Sequence, residues 1–304
     1  MINVDLTQYL ERFKAVDGFV KNIQLSRVGD FEMVSAFDDL SSDLICESIY
    51  TGMDPDKDLA VRKCISEYVE RKVFAENAEA QRKLNLPMRS DGFAAYPMND
   101  LDPEESKTMA RQIALAEATE RYVWATWWDN IIYGHKIDSY SALNFPQYES
   151  SVRMLNTFLN IHRIHIVEPL FGPSEYNLVI LFLETKEGGF LTGGACDLKG
   201  NRDNAVKRAL AELMRHCLAY RKFIADGIQP QSFYERRLLL FASGHGASLV
   251  KDRLRKQRRE VIELPELIFD EALESKYQEL FIVHRCVYKN QPPFIGGELA
   301  RLCL

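Results

Sequence analysis

Two long helical segments of this 304-residue chain carry the same charged pattern. One begins at Cys64 as CISEYVERKVFAENA, and the other begins at Ala114 as ALAEATERYVWATWW. Both contain Glu-x-x-Glu-Arg, as Glu67, Glu70 and Arg71 in the first and Glu117, Glu120 and Arg121 in the second. Residues at positions i, i+3 and i+4 share one face of a helix. Each copy therefore predicts three charged groups on one side of an otherwise apolar helix.

The remaining segments predict an α+β fold with mixed β-sheets. Long helices are predicted over 54–77, 102–128 and 202–223. The first has Asp54 or Asp56 near its start and Pro55 in its first turn. The second has Asp102 as N-cap and Pro103 at the first helical position. A shorter helix is predicted over 148–158, a hairpin around Gly29-Asp30, strands at 163–170, 176–184, 260–264 and 279–290, and a turn-prone segment at 90–97. No linker interrupts the chain, so one domain is expected over residues 1–304.

Composition excludes several classes of protein. The net charge is −6, so no global basic field would attract nucleic acid. No run approaches 18 apolar residues and the N-terminus lacks a signal-peptide pattern, so neither a membrane span nor secretion is expected. The six cysteines are scattered rather than paired, which argues against zinc knuckles and disulfides and favours the cytoplasm.

The third long helix partly repeats the charged pattern. Its segment LAELMRH places Glu212 where LAEATER has its first glutamate, and Arg208 lies one turn before on the same face. If the three helices converge, the glutamates at one place are Glu67, Glu70, Glu117, Glu120 and Glu212. Such carboxylates repel one another without cations, and hard oxygen ligands suit Mg²⁺. Arginines beside them would pair with phosphate oxygens, so the pattern predicts a nucleotide held through Mg²⁺. There is no Gly-rich Walker loop.

Two other interpretations of the glutamates are open. Each Glu-Arg pair would contribute only about 0.2–0.5 kcal/mol if it lay on a helix surface. A di-iron carboxylate bundle also gathers glutamates, but it uses Glu-x-x-His, whereas here a second glutamate followed by arginine takes that place.

In their order along the chain, the motifs resemble the YcaO family. They are the first Glu-x-x-Glu-Arg helix, the segment Ser90-Asp91-Gly92-Phe93-Ala94 for Ser-Asn-Gly-x-Ala, the second helix with A-L-x-E-x-x-E-R, the paired Trp127 and Trp128, TGGACD, and the helix with A-x-x-R-A-L-x-E over 205–212. Together they span roughly residues 50–220. The resemblance implies one YcaO-like domain in which the three long helices converge on an ATP and Mg²⁺ site.

The resemblance also implies an activity, which is ATP-dependent activation of peptide backbone amides. A nucleophile adds to the amide carbon, the resulting oxyanion attacks the γ-phosphate of ATP, and loss of phosphate leaves an azoline, thioamide or amidine. By resemblance, Mg²⁺ would be held by Glu67, Glu70, Glu117, Glu120 and Glu212, and ATP would contact Ser90, Arg121, Arg208 and Glu212. The sequence identifies no catalytic residue.

Three features depart from the family pattern. Asp91 replaces an asparagine, Met53 stands where many members have the lysine of Gly-Lys-Gly, and the C-terminus lacks Pro-x-Pro-x-Pro. Azoline formation from Cys, Ser or Thr in a ribosomally made precursor peptide is the first expectation. Thioamide or amidine formation with a TfuA-like partner, or a non-catalytic scaffold of a modification complex, is the alternative. Without a fused peptide-binding module, a separate leader-binding, E1-like or TfuA-like partner protein is expected.

Overall fold

The structure, a computed structural model, describes residues 13, 22–37, 49–77, 92–98, 102–141, 144–145, 148–174, 176–227, 229–230, 232–256, 258–294 and 298–301. The chain forms two compact units, and each is assembled from three segments. The first unit comprises residues 1–85, 93–115 and 269–286, and the second comprises 86–92, 116–268 and 287–304. The expectation of a single domain over residues 1–304 stays a prediction.

The described elements, in chain order, are β1 (Asn22–Val28), β2 (Phe31–Phe37), β3 (Ile49–Asp54), α1 (Lys57–Glu76), β4 (Gly92–Pro97), α2 (Pro103–Asp129), β5 (His135–Ser141), α3 (Glu149–Leu159), β6 (Ile161–Pro169), β7 (Asn177–Thr185), β8 (Phe190–Asp197), α4 (Arg202–Asp226), α5 (Phe233–Ala242), α6 (Ala247–Arg255), β9 (Leu267–Leu273) and β10 (Phe281–Tyr288). Among these helices, none combines the length and apolar character that a membrane crossing requires.

The first unit contains the predicted hairpin. Strands β1 and β2 pair antiparallel with Val28 opposite Phe31, so Gly29 and Asp30 form a two-residue turn. Gly29 has φ of 63°, a left-handed conformation that glycine adopts without a steric penalty. Strand β3 pairs antiparallel with β2 at the other side, giving the order β1-β2-β3.

Helix α1 packs on β3. Its N-cap is Asp56, whose carboxylate accepts hydrogen bonds from the backbone of Asp58 and Leu59. Pro55 therefore precedes the cap, and its expected place in the first turn is wrong. A Cβ on Gly52 would lie 1.8 Å from the carbonyl oxygen of Ala60, so only glycine lets α1 lie this close to β3.

A second sheet has the order β4-β10-β9 and contains two strands that the sequence did not predict. Strand β4 lies within the segment interpreted as turn-prone, and Phe93 in it packs edge-on against Phe74 at 5.4 Å. Strand β9 lies several residues after the predicted strand at 260–264. In that earlier segment Glu260 and Ile262 form only isolated bridges, because no extended run pairs there.

The second unit is built on a four-stranded antiparallel sheet with the order β5-β6-β7-β8, against which α4 packs through β7 and β8. The predicted strands at 163–170 and 176–184 correspond to β6 and β7. Helix α2 begins as predicted: the Glu105 N–H donates to the Asp102 carboxylate at 2.9 Å, and Pro103 is its first residue.

The aromatic end of α2 lies in the core, as its helical spacing predicts. Trp124 and Trp127 are fully buried. Arg253 in α6 is buried although it stands in a basic stretch of the sequence. Its guanidinium carbon lies 4.1 Å from the Trp127 ring centroid, and its Nε donates to the Trp127 carbonyl at 2.9 Å.

Candidate active site

Strand β8 has one edge with which no described strand pairs, and that edge organises the candidate site of the second unit. Among the described strands β8 is the last of its sheet and pairs only with β7, with Gly194 opposite Ile180 and Cys196 opposite Leu178. Backbone N–H and C=O groups on the far edge of such a strand need other partners when they are shielded from water.

Side chains from α2 and α4 supply those partners. The Gly194 N–H donates to Glu212 Oε2 at 2.7 Å, and the Cys196 N–H donates to Glu120 Oε2 at 3.1 Å. Arg208 Nη1 donates to the Cys196 carbonyl at 2.9 Å. We call Glu120, Arg208 and Glu212 the β8 edge cluster. It brings together three residues that the sequence predicted for ATP or Mg²⁺ binding.

His216, which the sequence patterns did not assign to the site, bonds to the same edge. Its Nδ1 lies 2.5 Å from the Thr192 carbonyl oxygen. Burial lowers the pKa of His216 to about 4, so the ring is neutral near pH 7 and Nδ1–H is the donor. The signal was present in LAELMRH, where His216 follows Glu212 by one helical turn.

The two glycines of TGGACD allow both helices to approach β8. A Cβ on Gly193 would lie 2.3 Å from the carbonyl oxygen of Ala209 in α4. A Cβ on Gly194 would lie 2.3 Å from the Trp124 ring of α2. Because successive residues of a strand face opposite sides, α4 and α2 lie on opposite faces of β8. The glycines thus bring glutamates from two helices to one strand edge.

The carboxylates of the cluster are crowded. Burial raises the pKa of Glu120 to about 8, and the charges of Glu212 and Glu117 add to this, whereas Arg208 and Arg121 act against it. Burial also raises the pKa of Glu212, whose Oε1 lies 3.8 Å from Arg215. The site therefore holds a carboxyl group that is largely protonated near pH 7 beside a second carboxyl group whose charge is disfavoured.

The other two charged residues of the second Glu-x-x-Glu-Arg copy bond to each other. Arg121 Nη2 donates to Glu117 Oε1, and the Arg121 guanidinium carbon lies 5.8 Å from the Phe294 ring centroid. Arg121 is buried and Glu117 is half-buried. This ion pair is therefore shielded from water more than an ordinary surface pair. The interpretation of the pattern as a pair on a helix surface does not describe it.

The first unit repeats part of this arrangement. Glu67 Oε2 accepts a hydrogen bond from the Thr51 N–H at 2.6 Å, on the edge of β3 that pairs with no other described strand, and Glu67 Oε1 pairs with Arg71. The Arg71 guanidinium carbon lies 5.4 Å from the Tyr50 ring centroid. In each unit, a long helix thus presents a glutamate of the repeated pattern to the backbone of an edge strand.

The predicted site residues are distributed as follows. The second unit holds Glu117, Glu120, Arg121, Arg208 and Glu212, and the first unit holds Glu67, Glu70 and Arg71. Ser90 and Asp91 lie outside the described residues. Met53 is buried in the first unit. The buried thiol of Cys196 has a raised pKa, caused first by burial, so it is no candidate nucleophile.

The donor set of the β8 edge cluster fits a hard divalent cation. Glu120 and Glu212 each use Oε2 for a backbone N–H, so coordination of an ion would use Oε1 of each, and Glu212 Oε1 already lies 3.8 Å from Arg215 Nη2. A bound cation would also relieve the crowding that raises the pKa of Glu120. Across the described residues, the glutamates do not form a group of three carboxylates with ligand oxygens within 4.8 Å of one another. Mg²⁺ that keeps several waters tolerates fewer protein ligands.

No protein-family model and no curated protein sequence matches the chain. Several solved structures do match the chain. The structure of YcaO from Methanopyrus kandleri bound with AMPPCP and Mg²⁺ aligns with a TM-score of 0.55 at 12% identity, over 97% of this chain and 92% of that chain. The chain has the YcaO fold.

A chain of the E. coli microcin synthetase McbBCD complex has a fold similar to that of this YcaO-fold chain. One structure of it aligns with a TM-score of 0.56 at 11% identity, over 90% of this chain and 88% of that chain. The complex with pro-MccB17 bound aligns with a TM-score of 0.58 at 10% identity, over 89% and 88%. The predicted α+β class and the resemblance to YcaO proteins are confirmed at the level of fold.

Proposed function

We propose that this chain is an ATP- and Mg²⁺-dependent enzyme that activates backbone amides of a peptide. The observation that carries the proposal is the β8 edge cluster, where two glutamates and an arginine from different helices meet at one strand edge in a YcaO fold. Support for the cofactors comes from the Methanopyrus kandleri YcaO, which is bound with AMPPCP and Mg²⁺.

In this proposal the carboxylates hold Mg²⁺ and the arginines hold phosphate oxygens. Glu117, Glu120 and Glu212 of the second unit act as metal ligands directly or through water, and Arg121 and Arg208 neutralise phosphate charge. Glu67 and Glu70 are proposed to serve the same Mg²⁺–ATP assembly on the strength of the sequence repeat. Ser90 is proposed to contact the nucleotide on the strength of its motif.

ATP supplies the phosphoryl group that converts an amide oxygen into a leaving group. The protein's own contribution is to orient the reactants and to place positive charge where negative charge develops. Arg208 is suited to this because its hydrogen bond to the Cys196 carbonyl holds the side chain in place. A preorganised guanidinium loses little conformational freedom when a phosphate arrives.

The peptide chemistry is proposed to be cyclodehydration of Cys, Ser or Thr to azolines, with a precursor peptide and a separate leader-binding or E1-like partner. The E. coli microcin synthetase is a complex, and one of its structures has pro-MccB17 bound. This similarity supports both a peptide substrate and a partner protein. Thioamide or amidine formation with a TfuA-like partner is the alternative chemistry. Mass spectrometry separates azoline from thioamide formation, because an azoline requires loss of water whereas a thioamide exchanges oxygen for sulfur.

Isothermal titration calorimetry tests the nucleotide proposal. ATP should bind tightly when Mg²⁺ is present and much more weakly in EDTA. Glu120→Gln and Glu212→Gln should weaken the Mg²⁺-dependent binding, because an amide oxygen is a poorer ligand than a carboxylate. Glu149→Gln, in an exposed ion pair with Arg153 on α3, is the matched control. Equal affinity with and without Mg²⁺ would refute the metal-bridged arrangement.

A non-catalytic scaffold is the second candidate, and a specific observation favours it. Every member of the β8 edge cluster already has a structural partner, since each bonds to the backbone of β8. These residues would therefore be useful even without ATP. ATP hydrolysis in the presence of partner and peptide discriminates the two. A scaffold would show none, and its cluster variants would change only the free energy of unfolding.

A further inference from the structure

A second cluster of polar side chains lies in the first unit, on the neighbouring strands β9 and β10. It consists of Asp270 on β9 and of His284 and Cys286 on β10, together with Arg111 from α2. His284 and Cys286 are two residues apart on a strand, so both face the same side of the sheet. Nothing in the proposed ATP chemistry uses these residues.

The potential ligand atoms of this cluster converge on one carboxylate oxygen. His284 Nε2 lies 2.8 Å from Asp270 Oδ1, and Cys286 Sγ lies 3.5 Å from the same oxygen. All three ligand atoms lie within 4.8 Å of one another. Tetrahedral zinc has bonds of about 2.0–2.3 Å, so its ligand atoms are separated by about 3.3–3.6 Å. The two separations from Asp270 Oδ1 would therefore change by only a few tenths of an ångström, and the separation between His284 Nε2 and Cys286 Sγ, at most 4.8 Å, would shorten by at most about 1.2 Å.

The same geometry argues against a nucleophilic Cys–His–Asp triad. In such a triad the thiol faces the imidazole, whereas here both groups face Asp270 Oδ1. Cys286 is also fully buried, which would deny a substrate access to the sulfur. A small ion needs much less room, and the half-buried Asp270 and exposed Arg111 side chains offer it a path.

Arg111 occupies the cation position of the cluster. Its Nε donates to Asp270 Oδ1 at 2.9 Å, and its Nη2 donates to Asp270 Oδ2 at 2.6 Å. Hydrogen bonds from Arg111 and His284 lower the pKa of Asp270 despite its burial, which keeps the carboxylate ionised. The carboxylate therefore attracts a positive charge, and the long Arg111 side chain, 48% exposed, is able to withdraw into water.

We propose that Asp270, His284 and Cys286 form a binding site for a borderline-soft divalent cation such as Zn²⁺, and that Arg111 competes with the ion for Asp270. Imidazole, thiolate and carboxylate are the ligand types that Zn²⁺ accepts in three-residue sites. Binding releases the thiol proton and joins β9 to β10 through the metal. The proposal is independent of the ATP-dependent function.

Cobalt substitution tests the site in the full-length protein. Metal-free protein titrated with Co²⁺ should show a sulfur-to-cobalt charge-transfer band, which Zn²⁺ then abolishes. Cys286→Ala should remove the band, whereas Cys217→Ala, which alters another fully buried cysteine in the second unit, should leave it intact. Absence of the band from the wild type, or its persistence in Cys286→Ala, would overturn the proposal.

Arg111→Gln provides a test that does not depend on a buried substitution. Because the guanidinium competes with the ion for Asp270, the variant should bind Zn²⁺ at least about tenfold more tightly. Groups that hydrogen-bond to metal ligands alter metal affinity by about 10- to 100-fold, so this effect is of the expected size. Lys107→Gln removes a charge from the same helix at a side chain that bonds to Glu104, and it should leave the affinity unchanged. An unaltered Zn²⁺ affinity in Arg111→Gln would show that the ion does not bind at Asp270.

Discussion

Glu212 and Glu120 bond to the same edge of one strand, two residues apart. Glu212 accepts from the Gly194 N–H at 2.7 Å, and Glu120 accepts from the Cys196 N–H at 3.1 Å. Two carboxyl groups are thus held side by side by the backbone itself. Because their ionised forms would repel each other, this place is sensitive to protons and cations.

The free energy of unfolding should fall as pH rises from about 4.5 to about 8, because the native state keeps a proton on Glu120 that the unfolded state has lost in this range. The upper bound is about 1.4 kcal/mol per pH unit, reduced by solvent screening because Glu120 is half-buried. Urea unfolding across this range measures it. Glu120→Gln should remove this part of the slope, and an identical slope in the variant would contradict the assignment.

Binding of Mg²⁺ and nucleotide should release protons. Near pH 7 Glu120 is largely protonated, since its pKa is raised to about 8, and a metal ligand must be deprotonated. Calorimetry in buffers of different ionisation enthalpy should therefore report a release approaching one proton at about pH 7. The release should disappear in Glu120→Gln. A proton count that does not change with this variant would place the ion elsewhere.

Arg208→Ala should lower stability by about 0.5–1.5 kcal/mol, because it removes the hydrogen bond to the Cys196 carbonyl. If Arg208 also holds phosphate, kcat/KM measured with partner and peptide should fall, and the fall should correspond to a loss of about 2 kcal/mol or more of transition-state stabilisation. Arg208→Lys should restore little activity, because an ammonium cannot replace a bidentate guanidinium. Arg153→Ala, in an exposed pair, should alter neither property by more than about 0.5 kcal/mol.

Gly194→Ala should destabilise the fold by about 1–3 kcal/mol or more, because its Cβ would lie 2.3 Å from Cζ3 of Trp124. Chemical denaturation measures the cost. Trp124→Phe replaces the indole with a smaller ring that lacks Cζ3, so Gly194→Ala should cost less in that background than in the wild type. Equal costs in the two backgrounds would show that the two side chains do not compete for space.

Much of the fold was predictable because its signals are local. Asp102 and Pro103 mark the start of α2 through a cap and a fixed φ, and Gly29 marks the hairpin through a left-handed turn. The strands β4 and β9 were not predictable in this way. Strand β9 carries Asp270, whose charge is tolerated because Arg111 and His284 bond to it from distant parts of the chain.

The candidate site also has features that local sequence signals predict and features that depend on long-range contacts. By itself the sequence determined which residues deserve attention, because the Glu-x-x-Glu-Arg repeat and the Arg208–Glu212 spacing are properties of single helices. Only the tertiary structure decided what those residues bond to. Glu120 meets the Cys196 N–H from 76 residues away, and it does so because β8 is an edge strand whose glycines admit a helix on each face. An unpaired strand edge must find its partners through long-range packing, and no local sequence pattern encodes that choice.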